Sequence, residues 1–60
     1  MFTITRMVQN GQEFPFFRAE NIEEVNKAIM LEKQIDAFPM VREYRVYTEE
    51  NFLFYRIAAR

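Results

Sequence analysis

Carboxylates and guanidinium groups make up most of the reactive inventory of this chain. It contains no histidine and no cysteine, and serine is missing as well. Thr3, Thr5 and Thr48 therefore have no imidazole to activate them, and nucleophilic catalysis is not expected. Lys27 and Lys33 fall on a stretch rich in acidic neighbours, where burial deep enough to depress an amine pKa is not expected. Acid–base chemistry would rest on Asp36 and eight glutamates, several of them at a helix start or in a turn. Glu20, Glu23 and Glu24 could offer oxygen ligands to a hard cation from one helical surface. Their position suits a helix cap and dipole better, and no glycine-containing ligand loop accompanies them. Gly11 is the sole glycine, so no phosphate-cradling loop exists. No catalytic residue, metal, cofactor or small-molecule substrate is expected.

A basic and aromatic constellation is more informative. Arg42, Tyr44, Arg45 and Tyr47 occupy one strand-like stretch, and Phe52, Phe54, Tyr55, Arg56 and Arg60 follow on or after the next. Sheets that set aromatic platforms beside basic side chains bind single-stranded nucleic acid. Arg42, Tyr44, Arg45, Tyr47 and Arg56 are the candidate contacts for that chemistry. Against it stands a net charge of −1, from nine acidic and eight basic residues, which supplies no long-range attraction to a polyanion. The stretch NFLFYRIA also lacks the glycine of the RNA-recognition strand, and the chain has room for one helix rather than two.

These side chains need elements to position them. Phe2 to Gln9 and Gln12 to Ala19 are rich in β-branched and aromatic residues and flank Asn10-Gly11, which predicts a hairpin with a two-residue type I′ turn. Gln9 then faces Gln12. One face carries Phe2, Ile4, Arg6 and Val8 opposite Ala19, Phe17, Pro15 and Glu13, and the other carries Thr3, Thr5 and Met7 opposite Arg18, Phe16 and Phe14. Pro15 has no N–H for a ladder, so its strand is expected at an edge or bulged.

Asn21-Ile22-Glu23-Glu24 predicts a helix start, with Asn21 as the cap, Glu24 reaching back to it, and acidic residues near the positive end of the dipole. Ile22, Val25 and Ile29 form its buried stripe, and Glu23 and Lys27 pair on a solvent side. Leu31 lies about 180° from Ile22, so either the helix is apolar on more than one side or it loosens after Lys33. Pro39 ends it by Phe38 at the latest. Val41 to Thr48 and Phe52 to Ala59 predict a second hairpin. Positive φ at two glutamates is unfavourable, so a three-residue loop with Asn51 left-handed is preferred over a Glu49-Glu50 turn. The two-residue register nevertheless segregates the faces better.

The result is one domain over residues 1–60, of α+β class and ββαββ order: two antiparallel hairpins joined by one helix packed on one face of the sheet. A chain this short buries only roughly 60% of its unfolded surface. Without disulfides or metal it must rely on dense packing or self-association. The opening MFTITRMVQNG carries no signal-peptide pattern and no segment nears the ~20 apolar residues of a membrane span, so a soluble, cytoplasmic chain is expected.

The aromatic excess points to protein binding, since Phe, Tyr, Met and Arg are enriched at interface centres and Lys is depleted. With the inner face closed by the helix, Met7, Phe14 and Phe16 fall on the uncovered face, and Leu31 on an exposed helix side. These four are the candidate interface residues. The expected function is a small non-enzymatic interaction module that self-associates as a homodimer and acts as an accessory or regulatory (inhibitory) protein on a larger one.

Overall fold

Both hairpins are built the same way. In the computed structural model, which describes residues 1–35 and 39–59, the Gly11 N–H donates to the Val8 carbonyl and the Val8 N–H to the Gln12 carbonyl. Asn51 and Thr48 repeat this pattern with Thr48 and Phe52. Each loop has three residues and ends on a left-handed one, Gly11 at φ 90° and Asn51 at φ 71°. The second loop is the one expected. The first is a correction: Asn10 does not need positive φ, because its side chain carbonyl accepts from the Gln12 N–H at 3.0 Å and holds an ordinary turn.

Strands β1 (Phe2–Val8), β2 (Glu13–Ala19), β3 (Val41–Tyr47) and β4 (Leu53–Ala58) form one antiparallel sheet in the order β2-β1-β3-β4, with the helix α1 (Ile22–Ile35) between the two hairpins. The α+β, ββαββ architecture is as the sequence indicates, and β2, which contains Pro15, is an edge strand.

The longer first loop shifts the register near the turn by one residue. Met7 pairs with Glu13, Arg6 with Phe14 and Thr5 with Pro15; a bulge then restores the expected pairing of Ile4 with Phe17, Thr3 with Arg18 and Phe2 with Ala19. Phe16 is the extra residue. The second hairpin repeats this, with Phe54 as the extra residue between Leu53, which pairs with Tyr47, and Tyr55, which pairs with Val46. A one-residue slip exchanges the faces of a strand. Glu13 and Phe14 therefore lie on the opposite faces from those expected: Glu13 joins Thr5 and Met7 on the open face, and Phe14 joins Arg6 on the helix face.

Phe16 is corrected in the same sense. Its ring lies 4.1 Å beneath the Arg6 guanidinium and 6.0 Å from the Tyr44 ring, against the core on the helix side.

The helix begins as expected. Asn21 Oδ1 accepts the Glu24 N–H at 2.9 Å, while the Glu24 carboxylate reaches back one residue beyond the cap, accepting the Glu20 N–H at 3.0 Å. One orphan donor of the first turn, the Glu24 N–H, is satisfied in this way, together with the Glu20 N–H that precedes the cap. Val25 and Ile29 are buried against Ile4, Ala19, Val41, Tyr44 and Val46. Ala19 is fully buried, and its small side chain suits a position where the chain turns from β2 into the helix above it. The helix continues to Ile35, with Leu31 and Ile35 exposed, so it is apolar on more than one side. Phe38, the latest expected end, lies outside the described residues, as do Asp36 and Arg60.

Candidate functional site

The two faces of the sheet solve the problem of exposure differently. On the open face, Glu13 is the hub of a polar cluster spanning three strands. Its Oε1 accepts from Arg45 Nη1 at 2.8 Å, and its Oε2 accepts from Thr5 Oγ1 at 2.8 Å and Tyr47 Oη at 2.6 Å. Arg45 Nε donates to Glu43 Oε2 at 2.6 Å. Strand alternation places these residues on one side, since Thr3, Thr5 and Met7 pair with Tyr47, Arg45 and Glu43 across β1 and β3.

Burial pushes the Glu13 carboxyl up, but the hydrogen bonds from Tyr47 and Thr5 and the Arg45 charge outweigh it and hold the pKa below the usual carboxylate range. Burial, then the bond to Glu13, push the Tyr47 phenol up. A carboxylate with both oxygens occupied and a depressed pKa is a poor general base at neutral pH. Among the described residues no group of three or more carboxylates stands together as a metal site. The cluster acts as a strap across β2, β1 and β3, and it shields Thr5, which is only 6% exposed.

The nucleic-acid candidates do not share a surface. Tyr44 is 4% exposed in the core, beside Val46, and offers no stacking platform. Arg42 shares its side of the strand by alternation, whereas Arg45, Tyr47 and Arg56 belong to the open face. Arg45 and Tyr47 are also committed to Glu13 and Glu43. Alternation alone separates Tyr44 from Arg45, and that signal was present in the sequence.

The helix side is different. α1 packs chiefly over β2 and β1. With Ile4 on β1 and Val41, Tyr44 and Val46 on β3 buried beneath it, β4 is the strand left beside the helix. There an open groove of 630 Å³ is lined by Asn26, Ile29, Met30, Lys33 and Gln34 of α1 and Ile57 of β4. Asn26 and Lys33 bridge it at two points: Tyr55 Oη lies 3.3 Å from Asn26 Oδ1, and Lys33 Nζ lies 3.3 Å from the Ala58 carbonyl. Met30 is 59% exposed, Leu31 58% and Phe54 54%, with Phe14 and Phe17 exposed beyond the other flank of the helix. Phe54 stacks its ring 5.5 Å from Phe2 and 5.3 Å from Tyr55.

Of the four interface candidates, Phe14, Phe16 and Leu31 belong to the helix side and Met7 to the open face. Phe14 and Leu31 are exposed, while Met7 and Phe16 are half-buried. The groove is not read from the sequence, because its place beside β4 depends on the strand order.

No family model, curated protein or solved structure matches the chain. Among the described residues no helix is long and apolar enough to cross a membrane.

Proposed function

We propose that this chain is a small non-enzymatic protein-interaction module that self-associates and serves as an accessory or regulatory protein by binding a larger one. One observation carries the reading. The open face closes its polar groups upon one another, whereas the helix side leaves large apolar side chains, among them Met30, Leu31 and Phe54, in solvent. Exposed apolar groups clustered beside a groove are the physical signature of a binding surface.

Self-association belongs at β4. The other edge, β2, is blunted by Pro15 and its bulge. Beyond its own bulge at Phe54, β4 runs regularly from Tyr55 to Ala58. The Ala59 N–H points inward to the Arg42 carbonyl, so by alternation the amides of Arg56 and Ala58 point outward. A two-fold pairing of β4 with a second copy must be antiparallel, with both helices on the same side of the joined sheet. Registers centred on Tyr55 or Ile57 avoid setting Arg56 against its own copy.

Light scattering coupled to size exclusion tests this. Concentration-dependent association above the mass of one chain, abolished by Arg56→Pro, which removes an outward N–H and spares the β3 ladder, is the expected result. A single-chain mass at every concentration overturns self-association.

A further inference from the structure

We infer that a second copy pairs through β4 in the register centred on Ile57, and that Arg56 of each copy then reaches across Ala58 of the other to the Glu43 carboxylate beyond it. The inference deepens the self-association reading above and rests on it.

The backbone chooses the register. Because the Ala59 N–H donates inward to the Arg42 carbonyl, alternation turns Ile57 and Tyr55 toward β3 and leaves the N–H and C=O groups of Arg56 and Ala58 facing outward. With Ile57 at the two-fold axis, Arg56 opposes Ala58 of the other copy and Ala58 opposes its Arg56, so both pairs exchange N–H···O=C bonds in each direction. Centring on Tyr55 does worse. It opposes Arg56 to Phe54, the extra residue of the bulge, and Ala58 to Phe52, whose N–H and carbonyl are already bonded to Thr48. On the helix side, the Ile57-centred register sets Ile57 against its own copy in a non-hydrogen-bonded pair, roughly 4.5 Å between Cα atoms. Apolar surface of a half-buried residue at the rim of the groove is covered in this way.

The open face supplies the charge match. Arg56 is exposed and lies directly opposite Arg45, a like-charge pair that is unfavourable within one chain. Arg45 is held by Glu13 and Glu43, whereas Arg56 has no ion pair among the described residues. Glu43 accepts from Arg45 through Oε2 and lies opposite Ala58. In the Ile57-centred register one row across the joined sheet therefore reads Arg45, Arg56, then Ala58 and Glu43 of the second copy, and the two-fold axis repeats the row in reverse. Arg56 and that Glu43 stand two strands apart, roughly 10 Å, with only the Ala58 methyl group between them. The same face already bridges such a span, since Arg45 on β3 reaches Glu13 on β2 over β1.

The occupant of this edge is a second copy because the edge complements itself. A two-fold interface requires residue i to meet j and j to meet i, and here Arg56 meets Glu43 in both directions. The other registers lack the match. Centred on Tyr55, Arg56 has Val46 and Tyr47 of the second copy beyond its neighbour rather than a carboxylate. Centred on Arg56, it faces its own copy. In the Ile57-centred dimer Arg45 and Arg56 of the open face are balanced by Glu13 and Glu43. The new pair is partly exposed, so it weakens as salt rises.

The test is a double-mutant cycle on self-association of the full chain, read by sedimentation over a dilution series. Arg56→Gln and Glu43→Gln each remove both symmetry-related pairs and should weaken the dimer roughly fivefold or more. The two together should weaken it no more than either alone. Losses that add, or single variants that associate as tightly as the wild type, would overturn the ion pair. The register is scored separately, because the chain has no cysteine. A mixture of Arg56→Cys and Ala58→Cys chains, each changed at an exposed position, should form a disulfide between unlike chains, since hydrogen-bonded antiparallel partners lie about 5.5 Å apart at Cα. Absence of that disulfide from a mixture that still self-associates would overturn the register and leave self-association standing. A single-chain mass at every concentration would overturn the self-association beneath it.

Discussion

Arg45 Nη1 on β3 stands 2.8 Å from Glu13 Oε1 on β2, two strands away, bridging over β1. The pair is partly shielded, with about a quarter of each side chain exposed. Together with the bonds from Thr5 and Tyr47 it pairs the polar groups at the centre of a sheet face that has no covering layer. The polar groups at the centre of the open face thus have partners within the chain.

Stability should therefore depend on the Glu13 charge. Because the folded-state pKa of Glu13 lies below its unfolded value, its contribution is fully present above the unfolded value, near 4.3. It is lost as pH falls through the folded one. Glu13→Gln should cost about 1–2 kcal/mol near neutral pH, measured by urea unfolding. The gap between the two proteins should close as pH falls below about 4.

The bulge makes a second prediction. Phe16→Ala should destabilise by about 1–3 kcal/mol, because it removes the ring packed under Arg6 and against Tyr44. Phe14→Glu, at a position 49% exposed, should change stability by less than about 0.5 kcal/mol. Thermal and denaturant unfolding of the two variants distinguishes this packing from one in which both rings share the open face.

The loops offer a third. Gly11→Ala puts a Cβ into the left-handed region, and Asn51→Ala removes the short polar side chain that tolerates it, each at about 1 kcal/mol. Asn51→Gly should cost nothing. Nothing lies within 4 Å of a Cβ placed on Gly11, so its cost is conformational rather than steric.

Much of this fold was legible because its signals are local. Asn10-Gly11, the Asn21 cap with Glu24, and the cost of positive φ at Glu49 and Glu50 each act within a few residues. The loop length at Gly11 was not legible. An Asn-Gly pair serves a two-residue or a three-residue loop, and the bulge at Phe16 absorbs the difference, so Ile4 still meets Phe17 in either case. Which rings face the helix is decided by packing on Tyr44 and Arg6, partners distant in the chain. The two-residue register sets Glu13 on the helix face, and its bonds to Arg45 and Tyr47 span more than thirty residues without a periodic trace. Leu31 and the apolar flank of α1 were visible from helical spacing. The groove required knowing that α1 lies over β1 and β2, which the strand order determines.

On the proposed reading the helix side, and not the polar sheet face, meets protein partners. Site-specific photo-crosslinking in the native host tests it most directly, with the photoreactive side chain placed at Met30 or Phe14 on the helix side and at Arg18 or Arg56 on the open face. Discrete adducts to other proteins from the first pair of positions and none from the second are predicted. Adducts confined to Arg18 and Arg56, or adducts to nucleic acid in place of protein, would contradict it.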